Sequence, residues 1–245
     1  MMNEYFIMPK WPAPKNIKAI QTTRKGGSSL GNYSSFNLSN NVGDAEHYVN
    51  INHNKLLDFL PSNPLWLNQI HSNKVERLPS KNNLDCDASF TFNKEIVCAV
   101  RTADCLPIFL TNVEGGFVAL IHAGWKGLLH GVIENTINKI NSKSEIIVWL
   151  GPCINQKSFE VGKDLYKLFI NQDTNTKAAF KLLGGKYFLD LALAARLKLN
   201  YNNIHNISGV GITEDFCTFR DEENFFSYRR DGETGRMASL LWIAS

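Results

Sequence analysis

Three side chains with metal-binding chemistry stand in similar local settings: His71 in NQIHSNKV, Cys105 in TADCLPIF and His122 in HAGWKG. Each lies at or beside the end of a segment whose β-branched and aromatic residues predict a strand. They are too far apart for one helix to present them, so only a folded sheet could bring them together. If they converge, two neutral imidazoles and a thiolate make a three-donor zinc site with an open fourth position, the pattern of catalytic zinc. If they do not, they are two ordinary histidines and a small buried thiol. Asp104, directly before Cys105, supports the first reading, because metal-bound histidines commonly donate their second ring N–H to a carboxylate. It is grouped with the three as a candidate catalytic residue.

A second set of residues suits anions. Arg24-Lys25-Gly26-Gly27-Ser28 follows a predicted strand, where successive glycines can turn backbone N–H groups toward an oxyanion and Arg24 adds a fork. No GxxxxGK[ST] is present, so this is not a P-loop. The segment FFSYRRDGETGR places Arg229, Arg230 and Arg236 among aromatic residues. It is either a site that stacks a base and holds an anion or a solvated charged loop. Lys126 stands at the start of a predicted helix, whose free N–H groups favour anions. Trp125 is expected to pack under its loop. His130 and Glu134 form an i, i+4 pair on that helix, and His47, His53 and His205 are assigned to the surface.

The elements that must position these groups follow from periodicity. IKAIQTTR reads as a strand, and the Gly-, Ser- and Asn-rich stretch KGGSSLGNYSSFNLSNNVGD reads as a long loop. AEHYVNINHNKLLDFL reads as a helix behind an Asp44 cap. PLWLNQIHSNKVERLP, CDASFTF, EIVCAVRTADCLPIFLTN and GGFVALIHAGW read as a series of strands. Apolar residues at Leu128, Leu129, Val132, Ile133, Ile137 and Ile140 predict one helix from Lys126 to about Ile140. EIIVWLGPCI reads as a buried strand. KSFEVGKDLYKLFI and LDLALAARLKLNYN read as helices separated by a connection containing KYFL. After ISGVGITED, the loop NFFSYRRDGETGRM leads to a final SLLWIA strand. With no repeat or linker, the simplest organisation is one mixed α/β domain over residues 1–245.

Composition bounds the class. The chain has 245 residues, 44% of them hydrophobic, enough for a buried core. A net charge of +3 from dispersed residues carries no nucleic-acid or membrane signature. Neither a leader nor an apolar run of membrane length is evident, which predicts a soluble cytoplasmic protein. Five scattered cysteines without a CxxC pair argue against a disulfide framework and a zinc ribbon.

Taken in order, TTRKGGSS, FNLSNNVGD, WLNQIHSNKV, DASFT, TADCLPI, HAGWKG, GPCI with FEVG, LDL, and CT with FFSYRRDGETGRMAS resemble the YfiH-like, or laccase-domain, family along nearly the whole chain. The resemblance implies a four-layer α/β/β/α fold of mixed sheets and a zinc site of His71, Cys105 and His122, with copper as the other candidate metal. It implies phosphorolysis of adenosine, inosine and methylthioadenosine, plus adenosine deamination, with a purine nucleoside and phosphate as small-molecule partners. Substrate and phosphate are then expected at Arg24, Gly26, Gly27, Asn37, Gln69, Lys126, Arg229 and Arg230. Lys126 stands where Arg is common in the family, and a charge without the bidentate fork suffices for phosphate. Rival readings are copper-dependent phenol oxidation, hydrolytic editing of peptidoglycan precursors carrying a wrong amino acid, Cys–His nucleophilic hydrolysis, and a non-enzymatic metal-binding module. Six histidines are few for a multicopper cluster.

Overall fold

Two mixed sheets lie face to face in the computed structural model, which describes residues 5–245. One has five strands, in the order Phe6–Ile7, Ile17–Thr22, Met237–Ile243, Cys98–Thr102, Leu65–Trp66. The other has six, in the order Asn206–Gly209, Ile146–Leu150, Leu106–Asn112, Val118–Ala123, Ala88–Thr91, Val75–Arg77. Both are antiparallel at the centre. Parallel pairs occur at Leu65–Trp66 against Cys98–Thr102, and at both edges of the six-stranded sheet.

The two-residue period of a strand explains the layering. Cys98, Val100, Leu241, Ile243, Val118, Leu120, Phe109 and Trp149 all point into one inter-sheet core. Their neighbours Ala119, Ile121, Ile108, Leu110 and Val148 face the opposite way, onto a core shared with the Val132–Ile140 and Leu191–Tyr201 helices. On the outside of the five-stranded sheet, Ala99, Leu240 and Trp242 pack with Phe36, Leu38 and Leu56 beneath the Glu46–Leu57 helix. Helix, sheet, sheet and helix thus form the four layers expected. Strands buried on both faces read as near-continuous apolar runs, as in LPIFLTN and VALIHA.

Several boundaries differ from the periodic reading. The helix expected from Lys126 to Ile140 is two helices, Trp125–Leu129 and Val132–Ile140, because Gly131 between them takes φ 85°, a left-handed conformation that interrupts the ladder. Asp44 does not cap the Glu46–Leu57 helix; its carboxylate accepts from Ala45 N and Asn37 Nδ2. KYFL is a strand, Lys186–Leu189, which pairs with Phe180–Leu183 and Glu160–Val161 in a small third sheet. The helix beside it is therefore only Lys163–Gln172. Among the described residues no helix is long and apolar enough to cross a membrane.

Candidate metal centre

The three donors converge. His71, Cys105 and His122 offer ligand atoms that all lie within 4.8 Å of one another, with His71 Nε2 3.9 Å from Cys105 Sγ. His122 is the next-to-last residue of the Val118–Ala123 strand and shares the inter-sheet face of Val118 and Leu120. Cys105 lies in the short passage that leaves the Cys98–Thr102 strand of one sheet and enters the Leu106–Asn112 strand of the other. His71 follows the Leu65–Trp66 edge strand with φ 57°. The site therefore occupies the mouth between the two sheets. Gly124 closes the arrangement: a Cβ there would stand 3.0 Å from Cys105 Sγ and 3.1 Å from His71 Cδ2.

The carboxylate behind the centre is Asp87, not Asp104. Fully buried, Asp87 accepts from His122 Nδ1 at 2.8 Å, from His71 N at 3.0 Å, and from both N and Oγ of Ser72. A donating Nδ1–H leaves His122 Nε2 as the free lone pair. Burial alone would raise the Asp87 carboxyl, but the His122 and Ser72 hydrogen bonds hold it below its ordinary range. Burial likewise disfavours the Cys105 thiolate, yet His122 and His71 outweigh it and bring the thiol down to about 6. For His122, burial is overcome by the Cys105 thiolate and Asp87, which raise the imidazole to about 9. Asp104 is turned elsewhere, with Oδ1 accepting from Thr218 Oγ1 and Oδ2 from Arg229 N. It fastens the C-terminal arginine segment to the Cys105 passage.

The donor chemistry fits a metal ion. Tetrahedral zinc with Zn–N and Zn–S bonds of ordinary length separates its ligand atoms by about 3.4–3.6 Å, so the donors would close by up to about 1.3 Å around an ion. Two imidazoles and a thiolate suit zinc or copper and do not suit magnesium or calcium.

A cleft of about 660 Å³ opens over the centre, within the range of small-molecule sites. Its walls carry Arg101, Arg229 and Arg236, with Trp125, Phe159 and Tyr228 as aromatic surfaces. Of the residues expected to bind substrate, Gln69 and Arg229 line this cleft and the rest do not. Arg24 donates to the carbonyls of Ser34 and Glu222 and lies 4.6 Å over the Phe226 ring. The Gly26-Gly27 turn is a packing device. Gly27 N donates to Ser35 Oγ, and a Cβ on Gly27 would sit 2.2 Å from Ser35 O. Arg230 is fully engaged by Asp231 and the carbonyls of Thr218, Phe219 and Phe225. Asn37 is buried, bonded to Ser39, Asp44 and Arg236 N. Lys126 is exposed, its Nζ 5.6 Å from the Trp125 ring centre. Gln69 uses both amide atoms on the backbone of Arg101. Trp125 packs on the helix-side core as expected, while also forming part of the cleft wall. His47 and His205 are exposed, but His53 is half-buried against Trp66 and bonded to Leu38 O.

Arg101 and Asp87 are the residues that sequence reasoning missed, whereas Arg236 belongs to the arginine segment already singled out. Asp87 carried a signal, an acid placed directly before an apolar strand, in CDASF.

A four-layer α/β sandwich, with three donors able to hold a metal ion gathered at the mouth between its sheets beneath a cleft of small-molecule size, defines the class. The chain belongs to the family described as multi-copper polyphenol oxidoreductase laccase, matched over residues 18–244. A Haemophilus influenzae protein named purine nucleoside phosphorylase is 46% identical over 97% of this chain and 98% of its own length. An Escherichia coli relative, purine nucleoside phosphorylase YfiH, is 42% identical over the same shares of the two chains. A crystal structure of a Neisseria meningitidis protein superposes with a TM-score of 0.91 at 40% identity, covering 99% of this chain and all of its own.

Proposed function

We propose that this protein is a zinc-dependent purine nucleoside phosphorylase that also deaminates adenosine at the same centre. The observation that carries the reading is the cleft: a thiolate and two imidazoles at its floor, arginines on its walls, and aromatic surfaces beside them. The names of the relatives support it. The family's description names copper oxidation; among the described residues one donor cluster is assembled, and one cluster is too few for a multicopper enzyme.

In phosphorolysis an oxyanion attacks the anomeric carbon as the bond to the purine nitrogen breaks, so cationic character builds on the sugar. The cleft arginines hold that oxyanion beside the reacting carbon, and the aromatic walls flank the flat base. Asp87 fixes the His122 tautomer and, through His71 N and Ser72, the shape of the loop that presents His71. Asp104 holds the Arg229 backbone against the Cys105 passage. When bound, zinc supplies Lewis-acid activation of an oxygen ligand at neutral pH, the chemistry that deamination of the purine ring requires.

The test combines elemental analysis with product identification from adenosine, inosine and methylthioadenosine, each with and without phosphate. The expected result is near-stoichiometric zinc and phosphate-dependent release of free base and pentose 1-phosphate. A zinc-loaded protein that turns over no purine nucleoside sinks the reading.

A further inference from the structure

The cleft is lined by two chemically different sets of side chains. One is apolar and aromatic, with Trp125, Ile154, Phe159, Leu191 and Tyr228. The other is polar, with Ser39, Asn41, Asn68, Gln69 and Arg101. Resting on the phosphorylase reading, we infer that the phosphate reactant docks against the polar set, held by Arg101 with Arg236 beside it, while the purine lies against the aromatic set.

Arg101 is prepared for this task. Its guanidinium carbon lies 4.0 Å over the Trp66 ring and its Nε donates to Leu38 O at 2.6 Å. Among the described residues neither Nη has a hydrogen-bond partner, and neither Arg101 nor Arg236 forms an ion pair. One face and one edge are thus fixed, leaving a planar fork directed at an incoming oxyanion. Burial lowers the guanidinium to about 10, which still leaves it cationic at neutral pH. A half-buried cation without a counter-ion is costly, and an oxyanion ligand relieves that cost.

Arg236 is mounted on the same support. The backbone of Leu38 accepts from Arg101 Nε at its carbonyl and donates from its N–H to Arg236 O, while Asn37 Oδ1 accepts from Arg236 N. Segment 37–39 therefore ties the Arg101 guanidinium to the Arg236 backbone, while Arg236 Nη1 donates to the Thr234 and Gly235 carbonyls with the guanidinium 5.7 Å from the Tyr228 ring centre, and Asn37 acts as a positioning residue rather than a substrate contact. Arg229 differs, its Nη1 on Glu160 O and its guanidinium over Phe159, one of the aromatic residues assigned to the base.

Kinetics and chemical protection test the assignment. Arg101→Gln is expected to raise the KM for inorganic phosphate by about tenfold or more with the nucleoside KM changed less than about twofold; Arg101→Lys, which keeps the charge without the fork, falls between. In the wild-type protein, inorganic phosphate should slow phenylglyoxal modification of Arg101, read by peptide mass spectrometry, more than that of Arg229. An unchanged phosphate KM in Arg101→Gln overturns the assignment, as does protection of Arg229 in place of Arg101. If Arg101→Gln fails to fold, Arg101→Lys and the protection pattern decide. Should the wild-type protein turn over no nucleoside, the phosphorylase reading falls by itself, and protection by phosphate still reports where an oxyanion binds.

Discussion

At the scale of single residues, the centre depends on which groups hold charge. In the metal-free protein the Cys105 thiolate forms as pH rises through about 6, while burial keeps Cys86 at about 11 and Cys98 at about 12. Iodoacetamide should therefore label Cys105 ahead of Cys86 and Cys98 near neutrality, with a rate that falls as pH drops below about 6; equal labelling of these three thiols contradicts this. Asp87→Asn should weaken metal affinity by roughly 10–100-fold, since the ring it orients loses its anchor. Asp104→Asn should leave metal content intact, because its partners are Thr218 and Arg229 N. Elemental analysis of the two variants separates the roles. The donors stood out in the sequence by residue type, but their convergence came from the family resemblance, because three distant segments carry no local record of meeting. The role of Arg24 was not legible: its partners include the carbonyl of Glu222, 198 residues away, and no local pattern reports such a contact.

Elements explain the other misreading. Arg-Lys-Gly-Gly-Ser after a strand reads as an anion cradle, yet the N–H groups of Gly27 and Ser28 bond to Ser35 Oγ and Asn52 Oδ1, and its glycines admit close packing. Gly27→Ala should then cost about 1–3 kcal/mol of stability, seen as a lower denaturation midpoint, with phosphate KM unchanged in the folded fraction. A raised phosphate KM without loss of stability would restore the cradle. The same limit applies to the long helix that Gly131 divides. Its apolar spacing continues across the break, so periodicity alone carries no record of the interruption. Strand identity was easier to see, because runs such as LPIFLTN are buried along their whole length. The order of the layers came only from the family resemblance, since strand pairing joins segments such as Ile17–Thr22 and Met237–Ile243 from opposite ends of the chain.

For the whole molecule, the inter-sheet core is built of apolar side chains and includes none of the three donors, so Cys105→Ser should lose bound metal and activity while its far-UV circular dichroism stays that of the wild type. Unfolding of that variant would indicate a structural ion instead. The position of Cys105 has a further consequence. His71 extends from the edge of one sheet, His122 belongs to the other, and Cys105 lies on the passage between them. An ion shared by the three therefore acts as a staple across the open end of the sandwich. Amide hydrogen exchange at segments 67–72 and 101–105 should slow when zinc is restored, while exchange at the buried far ends of the same strands stays constant. Metal loading would then set how often the mouth breathes, coupling the availability of the ion to local opening.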